Sequence, residues 1–171
     1  VEALAASVRT GERSARSLTD AALDRIKAGD VELNAFVAID AEAARRQADA
    51  IDERFATGED VGPLAGIPIG VKDLEDAAGF RTTRGAKHLE DSAVLDRDST
   101  EVTRLRAAGC VVIGKTNTPE SGWIGDTYNP VFGATKSPWD LTRSPGGSSG
   151  GTSAAVAGGL VPLGTGSDGG G

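Results

Sequence analysis

Hydrophobic positions in the first sixty residues recur at helical spacing. Val1, Leu4, Ala5 and Val8 share one face of a first helix. A second helix is predicted from near Ser17, with Asp20 three residues on as its capping partner. Leu18, Ala22, Leu23 and Ile26 form its apolar stripe and Gly29 ends it. NAFVAI (34–39) reads as a strand. A third helix carries Ala44, Ala48, Ile51 and Phe55, with Gly58 as its stop. Residues 1–60 are thus predicted to form a helical segment whose stripes face a core.

From Gly62 the pattern changes. GPLAGIPIGVKD sets Pro and Gly around the short apolar run IPIGV, which reads as a buried strand. Asp98 and Glu101 are predicted to cap a helix carrying Val102, Leu105 and Ala108, with Gly109 as its stop. CVVI (110–113) follows as a second buried strand. Strand–helix–strand order predicts an α/β fold over 61–171, with a mixed, partly parallel sheet covered by helices. Residues 116–143 are rich in turn formers, and no internal repeat is visible.

Composition narrows the function classes. The 171 residues suit one domain, 39% are hydrophobic and only 4% aromatic, so the core must rest on Ala, Val, Leu and Ile. A net charge of −7 argues against a nucleic-acid partner, which would need clustered Lys and Arg. No run is long enough to span a membrane. One cysteine, Cys110, and one histidine, His88, leave no disulfide framework, no expected metal site and no expected cofactor. A reducing cytoplasm is the expected compartment. The sequence opens at Val1 and closes on three glycines, which reads as an internal piece of a longer polypeptide.

One motif misleads. GCVVIGKT (109–116) satisfies the phosphate-loop pattern G-x-x-x-x-G-K-[ST] letter for letter. Its middle residues, Cys110 to Ile113, want to be a strand, and Pro119 interrupts the helix that should receive the phosphate. A nucleotide-binding protein is therefore a remote alternative, and Lys115 reads as a residue at a strand end.

The chemistry lies in two glycine–serine runs, SPGGSSGG (144–151) and LGTGSDGGG (163–171). A flexible linker would have polar flanks, but the first run leads into the small, apolar AAVAGGLVPLG, fit for a closely packed helix. The run therefore belongs to backbone that something approaches closely. The hydroxyls offer donors and acceptors, and the backbone N–H groups of SDGGG could form an oxyanion hole. A base is needed. His88 sits in the charged stretch RGAKHLED, whereas Lys72 leaves the buried run IPIGV, where desolvation would favour the neutral amine.

GGSSGGTSAAVAGGLVPLGTGSDGGG, with GIPIGVKDLEDAAGFRTTRGAKHL, STEVTRLRAAGCVVIGKTNTPE and FGATKSPWDLTRSPGG upstream, resembles the amidase signature family of serine hydrolases. The resemblance implies a Ser–cis-Ser–Lys triad. It makes Lys72 the base and Ser148 the bridging serine, entered by a cis Gly147–Ser148 bond. Gly169, Gly170 and Gly171 would form the oxyanion hole, with Gly147, Ser149 and Asp168 in support. The nucleophile closing the family's D-x-G-G-S motif would be position 172, beyond the last residue; a shortened chain or an altered next residue would account for that. The implied activity is hydrolysis of a small-molecule amide through an acyl-enzyme, with the remainder of the same polypeptide completing the site and a homodimer left open. The alternative within the family is the amidase subunit of a glutamine-dependent tRNA amidotransferase. In that subunit the GKTN segment is usually followed by an M-D-E-F-A-M-G-like string, whereas here TPESGWIGDTYNP follows. Cys110 reads as a small buried residue, and Trp123 and Tyr128 either line a substrate entrance or pack.

Overall fold

A computed structural model describes residues 1–169. The main sheet has four strands, β1 (Phe36–Ile39), β2 (Pro68–Lys72), β3 (Val111–Thr116) and β6 (Leu163–Gly164), which lie in the order β1-β3-β2-β6. β2 runs parallel to both β3 and β6, and β1 is antiparallel to β3. Helices α1 (Glu2–Arg9), α2 (Ala15–Leu33), α3 (Ala41–Ala56), α4 (Thr100–Ala107) and α5 (Gly150–Ala157) cover it, and a two-stranded ribbon pairs β4 (Tyr128–Asn129) with β5 (Gly133–Ala134). This is the mixed, partly parallel α/β architecture expected. Among the described residues no helix is long and apolar enough to cross a membrane.

Strand alternation divides the core. Val111 and Ile113 join Ala22, Ile26, Ala44, Ala48 and Ala154 in one cluster. Ile69, Val71, Cys110 and Val112 join Phe80 and Val102 in the other. A register shift lets Gly70 of β2 pair with Gly114 after Ile69 pairs with Val112. Beyond this bulge, Lys72 stands opposite Thr116 and Val71 opposite Lys115.

Several boundaries differ from the sequence pattern. α2 starts at Ala15, capped by the Ser14 hydroxyl, which accepts from the Ser17 N–H at 3.0 Å; Asp20 instead pairs with Arg16 and Arg45. α2 also continues through Gly29 to Leu33, because a bare Cα at 29 lets Leu160 pack close, and it stops at Asn34 in the left-handed region (φ 53°). Asp30 then accepts from the N–H groups of Ala35 and Phe36, which fixes the turn into β1. Ser99, not Asp98, caps α4; Asp98 accepts from Ala78 N–H and pairs with Arg106. Phe55 is half-exposed and covers the Gly11 turn rather than the core.

The strand expected at CVVI starts at Val111 and runs on to Thr116. Lys115 is the penultimate residue of β3, near the strand end as expected, but it is fully buried there and pairs with Asp73 at 2.9 Å. Residues 111–116 are extended between two neighbouring strands, so they cannot curl around a phosphate.

The Asp73–Lys115 pair anchors the segment after β2. Asp73 also accepts from the Thr83 hydroxyl at 2.5 Å, and Lys115 donates to Thr82 Oγ1 at 3.0 Å and to the Arg81 carbonyl at 3.2 Å. Removing one member leaves a buried charge without its partner. Lys115→Met is expected to lower unfolding free energy by about 3–5 kcal/mol. Urea denaturation measures it, and a loss below about 1 kcal/mol would show that the pair bears little of the fold.

Candidate active site

Lys72 is the last residue of β2, every residue of which is buried. Its backbone N–H donates to Thr165 Oγ1 at 2.8 Å, tying the strand to the segment that follows β6. The amine end meets three hydroxyls: Ser148 Oγ at 2.7 Å, Ser149 Oγ at 2.9 Å and Ser167 Oγ at 2.9 Å. Among the described residues no carboxylate lies within ion-pair distance of it, in contrast to Lys115. Burial pushes the Lys72 amine below its ordinary range, and the nearby charge of Glu75 only partly opposes that. Three hydroxyls suit either protonation state. A charged amine donates three bonds; a neutral one donates two and accepts one through its lone pair.

The GGSSGG run is held from both sides. The Gly147–Ser148 peptide is cis. Thr118 Oγ1 donates to the Ser148 carbonyl at 3.0 Å, and Thr127 Oγ1 donates to the Gly146 carbonyl at 2.8 Å while accepting from Gly150 N–H. Gly151 N–H donates to the Asn117 carbonyl at 3.0 Å. Two glycines are required by contact alone. A Cβ on Gly150 would lie 2.1 Å from Thr127 Oγ1, and one on Gly151 would lie 2.2 Å from the Asn117 nitrogen. Ser149 is the N-cap of α5, yet its hydroxyl turns away from the helix. It accepts from Lys72 and from Ser167 N–H (3.1 Å).

These groups open on a cleft of about 610 Å³ whose walls include Trp123, Pro145, Gly147, Ser148, Asp168 and Gly169. The structure thus brings Lys72, Gly147, Ser148 and Ser149 together and places Asp168 and Gly169 on the same cleft. Gly170 and Gly171 lie outside the described residues. Ser167, Thr165, Thr118 and Thr127 were not singled out in the sequence. Ser167 belongs to the SDGGG run, whose glycine N–H groups are the more evident chemical signal. His88 is exposed on a surface turn, and Cys110 is buried, its thiol pushed up to about 11 by desolvation. Of the two aromatic residues left open, Trp123 lines the cleft, and Tyr128 is exposed on the ribbon.

Comparisons with known proteins identify the family. The family described as Amidase matches residues 17–171. A glutamyl-tRNA(Gln) amidotransferase subunit of Acidothermus cellulolyticus is 48% identical over 98% of this chain and 33% of its own length. The corresponding subunit of Salinispora tropica is 50% identical over 98% of this chain and 34% of its own. A solved 6-aminohexanoate cyclic dimer hydrolase, complexed with substrate, superposes with a TM-score of 0.85 at 40% identity, covering 95% of this chain and 32% of that one. The chain spans about a third of the length of the curated relatives it matches.

The lowered Lys72 pKa has a thermodynamic consequence with a definite sign. Between the folded and the unfolded pKa, the unfolded chain binds more protons at this site, so stability contributed here rises with pH. Relative to Lys72→Met, the parent is expected to gain stability as the pH rises towards 10.5, the ordinary lysine value. Paired denaturation curves at several pH values measure the difference. A flat difference would mean that the folded lysine titrates normally.

Proposed function

The chain belongs to the amidase family, and from that premise we propose that it supplies the general base and the bridging serine of a serine-type amide hydrolase. The observation that carries the reading is the 2.7 Å contact between the buried Lys72 amine, which has no carboxylate at ion-pair distance among the described residues, and the Ser148 hydroxyl. A neutral amine there takes the proton of Ser148, and Ser148 takes that of a nucleophilic serine contributed from outside residues 1–171. The nucleophile's oxygen adds to the amide carbonyl carbon. The C–N bond then breaks as the proton returns through Ser148 to the leaving nitrogen, and water hydrolyses the resulting ester. Ser149 and Ser167 hold the amine in line by occupying its other two hydrogen-bonding directions. Backbone N–H groups of the 169–171 segment are assigned to the developing oxyanion, and Asp168 to orienting that segment. The cytoplasm is the proposed compartment.

A second reading is favoured by the curated relatives, which are subunits of a glutamyl-tRNA(Gln) amidotransferase. On that reading the same Lys–Ser machinery releases ammonia from glutamine for use by a partner. Copurification of further subunits, with ammonia release confined to glutamine, is the outcome that selects it.

In the protein that carries this chain together with the remaining two-thirds of its relatives' length, Lys72→Ala and Ser148→Ala are each expected to lower amide turnover about 100- to 10,000-fold. Ammonia release measures this. Turnover within threefold of the parent in either variant would remove that residue from the mechanism.

A further inference from the structure

Loop 119–125 places Trp123 on the cleft that Ser148, Ser149 and Ser167 also line. Trp123 is 77% exposed although it is among the largest apolar side chains in the protein. Its backbone is nevertheless fixed. Ser121 N–H donates to the Arg84 carbonyl at 2.7 Å, and Gly122 N–H donates to the Pro119 carbonyl at 2.9 Å. Ser121 and Gly122 both adopt left-handed backbone conformations, φ 53° and 71°. A Cβ on Gly122 would meet Leu74 Cδ1 at 2.6 Å and would stand 3.6 Å from Ser148 Oγ, so the loop is seated directly against the catalytic serine. Trp123 is therefore one residue from a fixed point at Ser148.

The neighbouring lining has the same character. Ile124 and Pro145 border the cleft with Trp123, and glycines 122, 125, 146 and 147 leave the surface low and uncrowded. Among the described lining residues Asp168 alone carries a charge, and it is negative. A substrate with a carboxylate would find no cation on this wall, whereas a flat apolar group could lie against the indole.

We propose that Trp123 is a specificity-determining residue, and that the wall it forms with Ile124 and Pro145 selects amides bearing an uncharged aryl or bulky apolar group over small aliphatic amides and over glutamine. The inference rests on the amide hydrolase reading. Stacking on a rigid ring adds binding that a small amide cannot use, and the loop's seat against Ser148 brings that binding to bear beside the scissile bond.

The test compares benzamide, propionamide and L-glutamine as substrates of the parent, Trp123→Ala and Trp123→Phe in the full-length protein. The parent is expected to favour benzamide over propionamide. Trp123→Ala should cut that ratio of kcat/KM at least about tenfold, chiefly through KM, and Trp123→Phe should retain most of it. An unchanged ratio in Trp123→Ala, or a parent that prefers glutamine to benzamide, overturns the assignment while leaving amide hydrolysis standing. A parent that hydrolyses none of the three, with Lys72→Ala indistinguishable from it, overturns the hydrolase reading and the assignment together.

Discussion

The site depends on one constraint: a lysine amine must be kept out of water, away from carboxylates and within reach of hydroxyls. β2 meets the first demand by being buried along its whole length, so that Lys72 emerges already desolvated. The second is met by strand alternation, which sends Asp73 to the opposite side of the sheet edge although it is the next residue. The third needs two separate segments, since Ser148 and Ser149 come from the loop before α5 and Ser167 comes from the loop after β6. Hydroxyls suit this purpose because they solvate an amine in either protonation state without adding a negative charge that would hold its proton.

The two buried lysines make an internal contrast. Lys72 and Lys115 lie near one another on adjacent parallel strands, and burial lowers the pKa of both. Lys115 has a buried carboxylate at 2.9 Å that pulls in the other direction, so its charge can persist as half of an ion pair. Lys72 has only the more distant influence of Glu75. The same residue type, at nearly the same depth, is half of an ion pair in one position and, on the proposed reading, a proton carrier in the other. Placement of a single carboxylate, Asp73, makes the difference.

Much of this was legible in the sequence, for reasons that can be traced to particular residues. Helical stripes such as Ala44, Ala48 and Ile51 are read correctly because burial on one face imposes a period. GGSSGG announces close backbone approach because Gly150 and Gly151 have no room for a methyl group. What could not be read were the long-range partners. Gly29 resembles a helix stop until Leu160, far along the chain, is seen to pack on it. Lys115 gives no sign of its ion pair until Asp73 is brought beside it, because a contact between segments far apart in the chain leaves no trace in local composition. Ser167 was hidden for the same reason, as its role is set by where β6 ends and not by its neighbours in sequence.

Topology explains why these parts meet at all. β2, β3 and β6 run parallel, so their carboxyl ends open on the same side of the sheet, where crevices in open α/β sheets form. Lys72 ends β2, the Asn117–Thr118 support follows β3, and Thr165 and Ser167 follow β6. Loop 119–125 also follows β3, and its Gly122 faces Ser148, whose Oγ would lie 3.6 Å from a Cβ at that position. The loop can change its outward side chains, Trp123 and Ile124 among them, without disturbing the hydrogen bonds around Lys72. On the proposed reading, proton transfer and substrate choice fall to different atoms of neighbouring segments, which would let one scaffold keep its chemistry while the group it recognises varies.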